Sequence, residues 1–180
     1  MLSDSFFLQQ VFHVPVETKQ RLAEELHEKH GAELLRRQDL CADLSLLADH
    51  ARRTQNLMAR TRMRSMCASC GTGVAGGCCS ISMAAETDAL QMLMNMLIGI
   101  QVMRVGNPGS ECCYLGREGC LFAFKPIFCL NYICSNIRAA VSPENLMELE
   151  HRTNLLLDKQ CEVEKKLLGL LGGLTGLQQK

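Results

Sequence analysis

Residues 40–58 read LCADLSLLADHARRTQNLM, and Leu40, Leu44, Leu47, Ala51, Thr54 and Met58 fall at alternating steps of four and three. That spacing puts all six on one face of a single helix. The stripe lies in a leading segment, about Pro15 to Arg64, dominated by Leu, Ala, Glu, Lys, Arg and Gln, which are good helix formers. Pro15 suits a helix start and Gly31 an end or a bend. A second stripe answers the first near the other end of the chain. Ser142 is placed to cap a helix opening on Pro143, and Leu146, Leu149, Thr153, Leu156, Gln160, Val163 and Leu167 keep the same rhythm. Gly172-Gly173 is expected to stop this helix and leave a frayed tail. Two such helices pack on each other, or on the same pair of a second subunit.

The chain has 180 residues, 47% of them apolar, enough for one domain with a sizeable core. Only 4% are aromatic and there is no Trp, so that core rests on Leu, Met, Ala and Cys. Lys plus Arg and Asp plus Glu both number 19. A formal charge of zero argues against a generally basic nucleic-acid binder and against a charge-swollen disordered chain. No apolar run reaches the roughly 18 residues of a membrane span. The opening MLSDSFFLQQVFHV lacks a basic n-region and a clear cleavage site, so the expected location is cytoplasmic.

Eleven cysteines are the outlier, and nine lie between Cys67 and Cys134. Charge runs the opposite way: that stretch holds only Arg104, Arg117 and Lys125 against Glu86, Asp88, Glu111 and Glu118. Three blocks follow: a helical arm over 1–66, a cysteine-rich centre over 67–141, and a second helical arm over 142–180 packing on the first as one compact unit. The expected fold is mainly α, with long amphipathic helices flanking a loop-rich metal-binding centre. Within the centre, Ser82 to Arg104 reads as a buried helix. Its methionines (Met83, Met92, Met94, Met96, Met103) read as flexible core filler rather than soft-metal ligands. Residues 67–80 and 107–134 read as loops and short turns.

In a reducing compartment, clustered cysteines point to metal more than to disulfides. The first group is Cys67-Ala-Ser-Cys70-Gly71, followed after a Gly-rich gap by Cys78-Cys79. A CxxC pair lets two thiolates reach one metal from a short segment. The second group is Cys112-Cys113, Cys120, Cys129 and Cys134, with Pro126 turning the chain between two of them. Cys112 stands beside Cys113 as an alternative ligand, and Cys41 and Cys161, on the arms, read as small buried hydrophobes. Eight thiolates suit two tetrahedral zincs, or an iron–sulfur cluster with the remaining thiols holding a second cluster, a zinc or nothing. All-sulfur donor sets disfavour magnesium and calcium.

The same residues resemble the YkgJ family of zinc- or iron-chelating proteins, which carries eight characteristic cysteines. Cys67, Cys70, Gly71, Cys78 and Cys79 match its first half; Cys113, Tyr114-Leu115, Gly119-Cys120, Lys125-Pro126, Cys129, Tyr132 and Cys134 match its second. The resemblance covers roughly residues 67–134 and neither arm. The gap before Cys78-Cys79 is longer than in the family pattern, and Lys125 stands where Arg is usual, which removes a bidentate hydrogen-bonding fork. The resemblance implies metal ligation by Cys67, Cys70, Cys78, Cys79, Cys113, Cys120, Cys129 and Cys134, with Gly71, Tyr114, Lys125 and Tyr132 around them. The expected cofactor is an iron–sulfur cluster, 4Fe-4S first, with zinc as the alternative. The expected role is electron transfer, cluster handling or metal sensing. The resemblance extends loosely to a flagellin lysine methylase, so an iron–sulfur-dependent modifying enzyme is the second reading. A zinc-stapled interaction module, with the arms binding a partner or a second copy, is the third.

Other patterns carry less. Gly71-x-Gly73-x-x-Gly76 spells a dinucleotide fingerprint, but no hydrophobic strand precedes it. Glu24, His27 and His30 have helix-borne ligand spacing, joined by Glu148 and His151 on the second arm, and read as polar faces. Arg52, Arg53, Arg60, Arg62 and Arg64 form a basic patch without aromatics, read as an exposed helix face, so a nucleic-acid partner is not expected. The centre holds no His, and no Ser–His–Asp or Cys–His arrangement can be placed.

Overall fold

A computed structural model of the chain describes residues 4–71, 77–105 and 111–174. It is mainly helical, in the order α1 (Asp4–Phe12), α2 (Val16–Leu34), α3 (Gln38–Arg60), α4 (Met63–Gly71), α5 (Ile81–Ala85), α6 (Ala89–Leu97), β1 (Leu115–Gly116), β2 (Gly119–Cys120), α7 (Ile127–Asn131), α8 (Ser135–Ala140) and α9 (Pro143–Leu174). The two arms pack as the stripes require. α3 buries Leu40, Leu44, Leu47, Ala51, Thr54 and Leu57, and α9 buries Leu149, Thr153, Leu156, Gln160, Val163, Leu167 and Leu171. The helices run antiparallel. Leu57, late in α3, shares a cluster with Leu149, early in α9, while Asp43 near the start of α3 meets Lys159 at 2.7 Å and also Lys166.

Some local expectations need correcting. Leu57, not Met58, is the last buried residue of the α3 stripe. Gly31 does not end α2 but packs within it; a Cβ there would lie 3.2 Å from the His27 ring. Gly172-Gly173 does not stop α9, which continues to Leu174. The segment expected as one helix from Ser82 to Arg104 is two helices. Asp88 interrupts it by accepting the Gln91 N–H at 2.8 Å as the cap of α6, and Gly99, at φ +83°, turns the chain after Leu97. α6 is the central helix of the molecule: Met92, Leu93 and Met94 have no exposed surface, so these methionines are core filler. Residues 67–71 are helical, not loop, because α4 carries the CxxC pair. Gly73, Gly76, residues 107–110 and residues 175–180 lie outside the described residues.

Beside α6 lies a half-buried charged group. Lys19 of α2 donates to the Ala85 carbonyl at 2.6 Å, Asp88 caps α6, and Gln160 donates to Glu164 of α9 at 3.0 Å. Burial, reinforced by the nearby Asp88 charge, pushes the Glu164 carboxyl from 4.5 to about 7. A carboxyl with its folded pKa raised favours the folded state while protonated, so its penalty is absent below pH 4.5, grows between 4.5 and 7, and is full above 7. Glu164→Gln is therefore expected to stabilise the protein at pH 8 by about 2 kcal/mol, after discounting for partial exposure, and to leave stability unchanged at pH 4. Urea unfolding of both proteins at the two pH values checks this.

Candidate metal centre

The cysteine-bearing segments meet because the local chain directions force them to. A left-handed Arg62 (φ 60°) turns α3 into α4, whose final turns carry Cys67 and Cys70 three residues apart on one face. Gly77 then passes so close that a Cβ would lie 2.9 Å from the Cys70 sulfur and 3.0 Å from its carbonyl, which excludes any side chain there. This delivers Cys78-Cys79 against the end of α4. The second group arrives beside them: the Cys112 N–H donates to the Cys79 carbonyl at 2.9 Å, next to an antiparallel bridge between Ser80 and Glu111. The β1–β2 hairpin, paired Leu115 to Cys120, then leads to Lys125-Pro126 and α7, which carries Cys129. Cys134 immediately precedes α8.

The thiols sit along the seam between two hydrophobic clusters. Cys112 and Cys120 pack against the main core, while Cys67 and Cys134 pack against the smaller cluster of Leu57, Met63, Ile137, Val141 and Leu149. A cavity of about 310 Å³ opens at the seam. Its walls include Cys67, Cys78, Cys79 and Cys129 on one side and Met58, Met63, Ile137 and Leu149 on the other, with Phe128 and Tyr132. All eleven cysteines are free thiols.

The electrostatics show which thiols are neighbours. Burial raises the Cys79 thiol far above its ordinary value, and the charges of Cys78, Cys67, Cys129 and Cys112 would add to the rise. Burial likewise pushes Cys129 up to about 12, with Cys120 and Cys112 adding and Lys125 opposing. Cys112 is pushed up to about 11, by burial first and then by Cys120 and Cys113. Cys67 is raised by burial and then by Cys78 and Cys134. Each of these thiols resists becoming a thiolate beside the others, so burial and mutual repulsion favour the protonated form.

Several expected residues fall elsewhere. Cys113 is buried, with Arg104 and Glu17 as the charged side chains that act on it, whereas the charge felt at Cys79 and Cys129 is that of Cys112. Tyr114 is 1% exposed in the main core, stacked on Phe122 at 4.5 Å with its hydroxyl donating to Gln20 Oε1 at 3.3 Å, and does not line the cavity. Lys125 is buried with its charge felt at Cys67 and Cys129, and Tyr132 lies exposed at the cavity. Gly71 ends α4. Cys161 is exposed and Cys41 half-exposed, so neither is the buried hydrophobe expected.

Asn95 was missed from sequence. Wholly buried on α6, it donates to the Phe124 carbonyl at 3.0 Å and to the Gln91 carbonyl at 2.7 Å, and its Oδ1 accepts the N–H groups of Ala123 (2.8 Å) and Phe124 (3.2 Å). It pins the strand of chain that leads to Lys125 and Cys129. A lone Asn inside MLMNML is the signal that could have found it.

The donor set is of the kind that suits a soft metal: four cysteines and no histidine line the cavity. Among the described residues, no three or more His, Cys, Asp or Glu side chains are grouped closely enough to hold a metal ion. The thiols are thus gathered in kind and neighbourhood without a closed ligand shell. Among the described residues, no helix is long and apolar enough to cross a membrane. Comparison with family models, curated proteins and solved structures finds no match for this chain.

Proposed function

We propose that this is a cytoplasmic metal-binding protein whose converging cysteines hold an iron–sulfur cluster, 4Fe-4S in kind, for electron transfer, cluster handling or metal sensing. The hydrogen bond from Cys112 to the Cys79 carbonyl carries this reading, because it joins cysteines more than 30 residues apart in the chain into one neighbourhood. Cys67, Cys79, Cys112 and Cys129 are the ligands we assign first, with Cys70, Cys78, Cys120 and Cys134 around them. The cluster would supply one-electron chemistry. The chain's part is to exclude water with Met58, Met63 and Leu149 and to place the Lys125 charge beside the thiolates.

The cavity supports a cluster over a lone zinc: about 310 Å³ beside Cys67, Cys79 and Cys129 has room for a group larger than one ion, while Cys112 lies outside its lining. Tyr132 at the cavity supports a second reading, an iron–sulfur-dependent modifying enzyme of methylase-like kind. Anaerobic purification with iron, sulfide and zinc analysis tests the proposal. A brown protein containing iron and sulfide in equal amounts is expected. A colourless protein with stoichiometric zinc would favour instead a zinc-stapled module whose helical arms take a protein partner or a second copy.

A further inference from the structure

The outer face of the α3–α9 pair carries a feature that the thiol centre does not explain. Two adjoining concavities, of about 400 and about 500 Å³, share Arg53 and Arg152 as walls. Arg60 and Asn56 line the second; His50 and His151 line the first. The sequence places Arg53 and Arg60 one helical stripe apart on α3, but only the antiparallel packing brings Arg152 of α9 across to face them. Arg53 is held by Asp49 at 2.5 Å and Arg152 by Glu148 at 2.5 Å, so both guanidinium groups are fixed at their inner edges. No carboxylate pairs with Arg60 among the described residues. In a chain of zero net charge, this groove concentrates three arginines against two acids.

We propose that this groove binds an oligophosphate, the phosphate chain itself being the recognised element. Guanidinium forks match phosphoryl oxygens in pairs, and pre-fixed forks lose less freedom on binding. A single carboxylate would only repeat what Asp49 and Glu148 already do; a multiply charged phosphate chain reaches Arg53, Arg60 and Arg152 together. The lining holds no Phe, Tyr or Trp; its only rings are the imidazoles of His50 and His151 in the first concavity, and none lies in the second beside Arg60. A phosphate chain needs no stacking ring, and the RNA arm of the test below separates it from single-stranded RNA. Concavities of this size are ordinary for small ligands.

The test is calorimetric titration of the full chain with inorganic tripolyphosphate at low salt, repeated with sulfate and with a short single-stranded RNA. Saturable tripolyphosphate binding is expected, at least about tenfold tighter than sulfate, with Arg60→Gln weakening it about tenfold and Arg60→Lys weakening it less. Arg60 is exposed, so circular dichroism should show both variants folded as the parent is. Absence of saturable binding, undiminished binding by Arg60→Gln, or RNA binding tighter than tripolyphosphate would each overturn the proposal.

Discussion

Asn95→Leu is expected to destabilise the protein by about 4 kcal/mol and to lower its melting temperature by roughly 10 °C. Leu is close to Asn in size, so the change is nearly pure loss of hydrogen bonding. It strands the N–H groups of Ala123 and Phe124 and the Phe124 carbonyl in the interior, where α6 leaves them no water. Each unpaired buried group costs about 1–3 kcal/mol. Thermal unfolding by circular dichroism measures the shift, and a change below about 3 °C would show that water or another side chain replaces Asn95. The effect should also reach the proposed metal centre. The 123–124 segment is the lead-in to Lys125 and Cys129, and the Lys125 carbonyl is further held by Gln160 at 3.2 Å. Metal content of Asn95→Leu should therefore fall even at temperatures where the protein remains folded.

Cys112→Ser should remove most bound metal, while Cys113→Ser should leave it nearly unchanged. The two residues are adjacent, so composition cannot separate them, yet their side chains have different charged neighbours. Cys112 lies with Cys79, Cys120 and Cys129; Cys113 lies against Arg104 and Glu17 on the α2 side. Replacing a ligand removes a soft donor and leaves a hydroxyl that binds zinc or iron weakly. Replacing Cys113 removes only a buried small side chain and its contact with Arg104. Metal analysis of the two purified variants decides the matter, and the reverse pattern would move the ligand assignment back to Cys113.

The helical arms were legible because their signal is periodic. Leu40 through Thr54 and Leu149 through Leu167 repeat the same face over many turns, and each turn reinforces the last. The centre was harder for three physical reasons. Asp88 acts as a helix cap, and a cap is a single residue set in an otherwise apolar helical run. The helical state of Cys67 to Gly71 depends on Arg62 turning the chain and on the fit of Gly77, both of which are tertiary features. The neighbourhood of Cys112 and Cys79 rests on a backbone bond between them, which joins distant segments and leaves no mark on local spacing. Glycines misled in the other direction: Gly31, Gly172 and Gly173 all lie inside helices, Gly31 packed on His27 and Gly173 exposed with nothing near it, because a glycine only weakens a helix and does not by itself end one.

The claim that sulfur atoms from both halves of the centre serve one metal is tested most directly by residue-resolved thiol alkylation, read by mass spectrometry, with and without bound metal. Metal should shield Cys67, Cys79, Cys112 and Cys129 together, while Cys41 and Cys161 on the arms react equally in both states. Uniform labelling in the two states, or loss of label through pairing of these cysteines as disulfides, would contradict the account.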